Sequence, residues 1–262
     1  MVETEDGTEL RSILHKRHNV LAALKTEPQT KPDLVETIDS SRSTIDRAIS
    51  SLEDTSCIER QGETYHLTQL GRVSFAEHNR YVKIMDGIAR ASGILNSISR
   101  EICIDPDFFS GVSVQTADPH APESALKNSI KALKTSDRLV CLIPVVLSVY
   151  IEVLTNHICK HEIEAELLFH NNALESLLEY YHDRFDKIDT NEHVELYVTE
   201  QDLPYALWIT EHDGRSRVDI TVYEDGGVRG VLMNDSSPAL QWALKEFAKY
   251  LEASERATIY LT

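Results

Sequence analysis

The chain has 262 residues, 42% of them hydrophobic, and a formal net charge of −17. That length suits two domains, a small one and a larger partner. No apolar run approaches the ~20 residues of a membrane span, and the acidic opening MVETEDGTEL has no apolar core for a signal peptide. The acid is uneven: residues 1–100 carry 13 Lys+Arg against 15 Asp+Glu, whereas residues 101–262 carry 13 against 28. Such a surface also suits a halophilic cytoplasm, where salt screens long-range attraction to phosphate. Net charge speaks to solubility and partners, not to fold. Cys57, Cys103, Cys141 and Cys159 are scattered without a Cys-x-x-Cys pair, as expected of reduced thiols in a cytoplasm.

Taken in order, residues 1–7 read as an acidic lead. From Thr8 to Lys25, Leu10, Ile13, Leu14, Val20, Leu21 and Leu24 fit one helical face, which TEPQT ends through Pro28. Thr30 is a candidate N-cap, with Pro32 early in the helix and Asp33 three residues after the cap. Leu34, Val35 and Ile38 supply the buried side of this short helix. Asp39-Ser40-Ser41 form a turn, and Ser41 can cap a third helix from Arg42 to about Asp54. In that helix Ile45, Ala48, Ile49 and Leu52 form an apolar stripe, opposite a face of Arg42, Ser43, Thr44, Arg47 and Ser51. A hairpin follows: Cys57–Arg60, a turn at Gln61-Gly62-Glu63, and Thr64–Thr68. Two capped short helices and a hairpin have the layout of a winged helix-turn-helix, which places its second helix in the DNA major groove.

Arginine can fork onto guanine O6 and N7, and Ser and Thr can bond near bases and phosphates. The DNA-contacting residues expected on this layout are Arg42, Ser43, Thr44 and Arg47 on the helix. Lys31, Arg60 and Gln61 would hold the backbone, with Glu59 and Glu63 opposing in the wing. The bland alternative is that Arg42 and Arg47 lie solvated on a surface helix.

Thr68 caps a longer helix to about Ser99. Its apolar residues Tyr81, Ile84, Ile88, Ala91, Leu95 and Ile98 are spaced 3, 4, 3, 4, 3, close to a heptad pattern. The expectation is a dimerisation helix that pairs two readers; the alternative is packing on the following domain of the same chain. Beyond Ile102, Gly111–Gln115 reads as a strand, ADPHAP as a turn, and Pro122–Lys134 as a helix. Arg138–Ile143 is a continuous apolar strand of the kind buried on both faces. A helix (Leu147–Lys160), a strand (Glu162–His170) and a helix (Leu174–Arg184) follow, implying a largely parallel core. The strands Val194–Thr199, Ala206–Thr210, Val218–Tyr223 and Val228–Met233 come with short turns and read as an antiparallel or mixed extension. A helix from Pro238 to Ala253 closes the domain, and TIYLT at the end has strand character. The fold class is α+β or α/β. A winged helix-turn-helix at 8–68 and a connecting, dimerising helix at 69–100 lead into a mixed, partly parallel α/β regulatory domain at 101–254.

The pattern resembles archaeal winged-helix regulators, numerous in haloarchaea, whose C-terminal domain is named for a methanogenesis regulator. DSSRSTIDRAISSLED, ERQGETYHLTQLGR, ADPHAP and LMNDSSPALQWALKEFAKY carry the likeness. It implies a DNA-binding transcription regulator, with a second domain that senses a ligand or mediates assembly. Glu123-Ser124 stands where such proteins often carry a basic residue after DPH-x-P.

Other chemistry is sparse. His157 and His161 lie four apart on a helix and could share a metal with His170 or Glu162, whereas Cys159 at i+2 points away. An exposed pair at a helix end is the commoner outcome, so no metal site is expected. His120 in ADPHAP could meet an effector at a strand end, or could simply be a turn histidine between Pro119 and Pro122. There is no G-x-G-x-x-G, no G-x-x-x-x-G-K-[ST] and no Gly-x-Ser-x-Gly, so neither catalysis nor a cofactor is expected. The partners expected are double-stranded DNA, a second copy of the chain and a small-molecule effector, with no membrane. A protein-interaction adaptor is the alternative function.

Overall fold

The computed structural model describes residues 7–100, 102–160 and 163–257. The acidic lead at 1–6, His161, Glu162 and TIYLT lie outside the described residues. The chain divides into two compact units, Met1–Lys83 and Ile84–Thr262.

In the first unit the single helix expected from Thr8 to Lys25 is two, α1 (Gly7–Lys16) and α2 (His18–Thr26). The break falls at Arg17 (φ −113°, ψ 18°), whose Nε donates to Ser51 Oγ at 3.2 Å. A surface arginine is thereby drawn into the packing. Helix α3 (Lys31–Ile38) opens with the expected cap: Asp33 N–H donates to Thr30 Oγ1, and Thr30 N–H to Asp33 Oδ2 at 3.0 Å. The Thr30 hydroxyl, donating to Asp33 Oδ2 at 2.7 Å, and then the Thr30 N–H hold the Asp33 carboxyl below its usual range. The cap's support is therefore present above the unfolded pKa and fades as pH falls through the folded one.

Asp39 takes the left-handed conformation that turns the chain (φ 51°, ψ 52°), and Ser41 caps α4 (Arg42–Asp54). Ile45, Ala48, Ile49 and Leu52 are all buried, as their spacing predicts. Strands β1 (Ile58–Gln61) and β2 (Thr64–Leu67) pair antiparallel around Gly62, whose φ of 64° the turn requires. An unexpected third rung joins them: Gln29 and Tyr65 exchange backbone bonds of 3.3 and 2.8 Å. The loop before α3 is thus tied to the wing. Helix α5 (Gln69–Leu95) begins on Thr68, whose Oγ1 accepts from Gly71 N–H at 3.0 Å and donates to the Ser56 carbonyl at 2.7 Å.

The second unit holds an eight-stranded sheet. In chain order its elements are β3 (Ser113–Thr116), α6 (Lys127–Leu133), β4 (Arg138–Ile143), α7 (Ser148–Lys160), β5 (Glu164–His170) and α8 (Asn171–Asp189). Then follow β6 (Val194–Thr199), β7 (Ala206–His212), β8 (Arg215–Glu224), β9 (Gly227–Asn234), α9 (Ser237–Leu251) and β10 (Glu255–Arg256). The order across the sheet is β10-β6-β5-β4-β7-β8-β9-β3. Only β4, β5 and β6 run parallel to one another; every other neighbour is antiparallel. The βαβα rhythm thus yields the parallel core, and the short turns after β6 yield the antiparallel flank. Central strand β4 sends Leu139, Cys141 and Ile143 into one core and Val140 and Leu142 into the other, as a continuous apolar strand should. Residues Pro122–Lys134, expected as one helix, begin as a 3-10 turn at Pro122–Leu126 before α6.

Much of the stripe expected to dimerise packs within the chain. Ile84 and Ala91 are buried in the second unit's core, and Ile88, Leu95 and Ile98 pack against it. The helix lies so close that a Cβ on Gly87 would meet the Phe109 carbonyl oxygen at 1.9 Å. Ile84 and Ala91 are thus taken up within their own chain, the alternative that the spacing left open, while Ile88, Leu95 and Ile98 stay half-buried at its edge. Of the six, only Tyr81 stays exposed, at 57%. A heptad-like period reports that one face is covered, not by which chain.

Candidate nucleic-acid interface

Helix α4 presents its N-terminal turn to solvent because Ser41 ends the preceding turn in extended backbone and accepts from Thr44 N–H at 3.2 Å. The buried stripe fixes the helix's rotation, so Arg42, Ser43, Thr44 and Arg47 are all exposed together. The Ser43 and Thr44 hydroxyls lie 3.1 and 2.8 Å from Ser41 Oγ, which makes a small cluster of groups able to donate or accept. Among the described residues no hydrogen bond or ion pair occupies the Arg42 or Arg47 guanidinium. Two uncommitted forks beside two hydroxyls suit base edges and phosphates. Ser41→Ala is expected to cost about 1 kcal/mol, read as a lower denaturant midpoint at unchanged slope.

The backbone-holding residues fare differently. Lys31 is not free: its Nζ sits 2.7 Å from Asp46 Oδ1, tying α3 to α4. This hydrogen bond is the main cause of the raised Lys31 pKa and of the lowered Asp46 pKa. Contact with a phosphate would require that pair to open. Arg60 curls back so that its Nε donates to the Gly62 carbonyl at 2.9 Å, and Gln61 Nε2 donates to Glu59 Oε1 at 2.9 Å. Both stay exposed in the wing, held by their neighbours.

In the second unit, His120 is exposed on its turn, where its N–H donates to Asp118 Oδ1 at 2.7 Å. His157 is buried with Nε2 2.7 Å from the Ser136 carbonyl, and His170 Nδ1 accepts from Asn172 N–H as the cap of α8. Both imidazoles thus serve the backbone, and the remaining members of that candidate metal set, His161 and Glu162, lie outside the described residues. Among the described residues one cluster has metal-ligand geometry, the exposed Asp137, His212 and Asp213. Its members already bond one another, Asp137 Oδ2 accepting from Asp213 N–H at 3.1 Å and lying 3.2 Å from His212 Nδ1.

Among the described residues several cavities open in this unit. One of about 540 Å³ is lined by Ile88, Leu95, Ile98, Arg100 and Phe109, and one of about 170 Å³ by Ser113, Asn128, Arg217, Met233 and Asp235. At the smaller one Arg217 donates from Nε and Nη2 to Asp219 at 2.7 and 3.1 Å. Asp219 is 3% exposed. Sequence reasoning passed over this pair, although Asp219 interrupts an otherwise apolar run and alternation sets it on the face opposite Val218, Ile220 and Val222.

A capped two-helix unit followed by a wing, with an α/β unit after it, is the architecture of a winged helix-turn-helix protein with a second domain. None of the described helices is long and apolar enough to cross a membrane. The chain belongs to the family of the methanogenesis regulatory protein FilR1 middle domain, whose model matches residues 122–253, half of the chain. The HVO_A0261 N-terminal domain model matches residues 5–90. No curated protein sequence matches. Among solved structures, the chain is similar to TrmBL2, an archaeal chromatin protein, at 10% identity over 94% of this chain and 98% of that one, with a TM-score of 0.43. It is also similar to NucT from Helicobacter pylori at 12% identity over 56% of this chain and 98% of that one, with a TM-score of 0.43.

Proposed function

We propose that the chain is a dimeric, sequence-specific DNA-binding regulator of the cytoplasm whose 101–254 region senses a signal or mediates assembly. Residues 8–68 are the reader and 69–100 the connecting segment. The observation that carries this reading is the exposed face of Arg42, Ser43, Thr44 and Arg47 on the Ser41-capped helix α4. Those side chains are the right types, at the N-terminal end that reaches base edges in helix-turn-helix readers. Signal binding in the second region would act as a coupling free energy on the reader. The reading assigns binding, not catalysis, to the chain.

Arg47→Ala is expected to weaken binding to a site selected from random duplexes by about 1–3 kcal/mol, with relaxed preference at one base position. Gel shifts against scrambled DNA check it; unchanged affinity and preference would remove Arg47 from the interface. The glutamates at 59 and 63 in the wing favour a second reading, an adaptor in which the winged helix meets protein. Binding whose logarithm does not fall with the logarithm of salt would support the adaptor, since phosphate contacts release counterions.

A further inference from the structure

The first half of α5 carries an uncovered apolar strip. Leu70 is 45% exposed, Val73 59% and Tyr81 57%, and their spacing sets them along one side of the helix with Glu77 between. Among the described residues few large apolar side chains are this exposed, and single scattered ones are ordinary; a strip along one helix is not. Beside it runs a groove of about 660 Å³, walled by Leu10 and Leu14 of α1 on one side and by Val73 and Tyr81 of α5 on the other. The reader unit therefore offers both a ridge and a slot of matching character.

Charge says what fits there. The chain as a whole carries −17, so two copies repel over most of their surface. Along this strip the Glu77 carboxylate accepts from Arg80 Nε and Nη2 at 3.1 and 2.9 Å, and Arg11 stands exposed on the opposite wall. A face with an apolar centre and charges of both signs at its rim is complementary to itself under a two-fold axis. A basic partner would be drawn instead to the acidic remainder of the chain. We propose that the α1–α5 groove is an isologous dimer face: the Val73–Tyr81 ridge of each copy seats in the groove of a second copy of this chain, Arg11 of each against Glu77 of the other. The proposal rests on the dimeric-reader reading and supplies the face that the buried Ile84–Ile98 stripe does not.

Sedimentation equilibrium of the full chain tests it. The parent is expected to be a dimer, and Val73→Glu and Tyr81→Asp monomers that keep the parent's far-UV circular dichroism. Arg11→Glu, at an exposed position, is expected to give a monomer with the parent's far-UV circular dichroism, and Arg11→Glu/Glu77→Arg to restore the dimer. In gel shifts the monomers should bind a single half-site as the parent does and lose the added affinity for paired half-sites. Variants that stay dimeric would overturn this face while leaving a dimeric reader standing. A monomeric parent across the concentration range would overturn both the face and the dimer, while single-site binding would still report on the reader.

Discussion

Gly71→Ala is expected to destabilise the reader unit enough to lower its melting temperature by about 10 °C or more. Helix α5 starts hard against the entry to the wing, where Thr68 bridges the Ser56 carbonyl and the Gly71 N–H. A Cβ on Gly71 would sit 1.9 Å from the Cys57 carbonyl oxygen and 2.9 Å from its carbon. Both are backbone atoms, with no flexible side chain to give way. Overpacking of well-packed sites costs about 1–3 kcal/mol and sometimes more, a large share of a small domain's stability. Gly87→Ala should do the same to the second unit, because its Cβ would meet the Phe109 carbonyl oxygen at 1.9 Å. Gly93→Ala is the control: the nearest atom is Arg229 Nη2 at 3.8 Å, and replacing a helix-interior glycine there should be neutral or gain about 0.5–1 kcal/mol. Calorimetry on the three variants separates close packing from helix propensity. Equal melting temperatures for Gly71→Ala and Gly93→Ala would sink the argument.

Arg217→Ala is expected to cost about 3–5 kcal/mol near neutral pH, because it leaves the Asp219 carboxylate buried without its partner. Burial is the largest influence on Asp219 and raises its pKa; the Arg217 bonds work against it. A carboxyl whose folded pKa lies above its unfolded value supports folding fully below the unfolded pKa, and loses that support as pH rises through the folded one. Removing Arg217 takes away the opposing influence and widens the gap. The variant's deficit relative to the parent should therefore be largest at neutral pH and narrow as Asp219 takes up its proton. Arg217→Ala/Asp219→Asn should regain most of the loss. Urea midpoints measured for parent and variants across this pH range test the sign, and a deficit that does not change with pH would refute the buried-charge account.

The reader was legible because its signals are local. Thr30 with Asp33, Ser41 with Thr44, and Gly62 each satisfy or turn a backbone only a few residues away, so a window of sequence contains both partners. The face of Arg42, Ser43, Thr44 and Arg47 follows from the stripe Ile45, Ala48, Ile49 and Leu52, since burying one side of a helix exposes the other. The same window has no access to Lys31, whose partner Asp46 lies across the turn on the next helix, or to the break at Arg17, which answers to Ser51 on α4.

By itself, then, the sequence determined the capped helices, the wing and the rotation of α4. It also determined the split between a parallel core and an antiparallel flank, because period, caps and turn lengths are properties of neighbours along the chain. Tertiary structure decided the rest. It sent Ile84 and Ala91 into the second unit's own core and laid Ile88, Leu95 and Ile98 against it, while Leu70, Val73 and Tyr81 stayed exposed on the same helix. It also set Gly71 and Gly87 against carbonyl oxygens distant in sequence. An apolar side chain at helical spacing gains from any cover that excludes water, and only the packed chain determines whether that cover comes from itself.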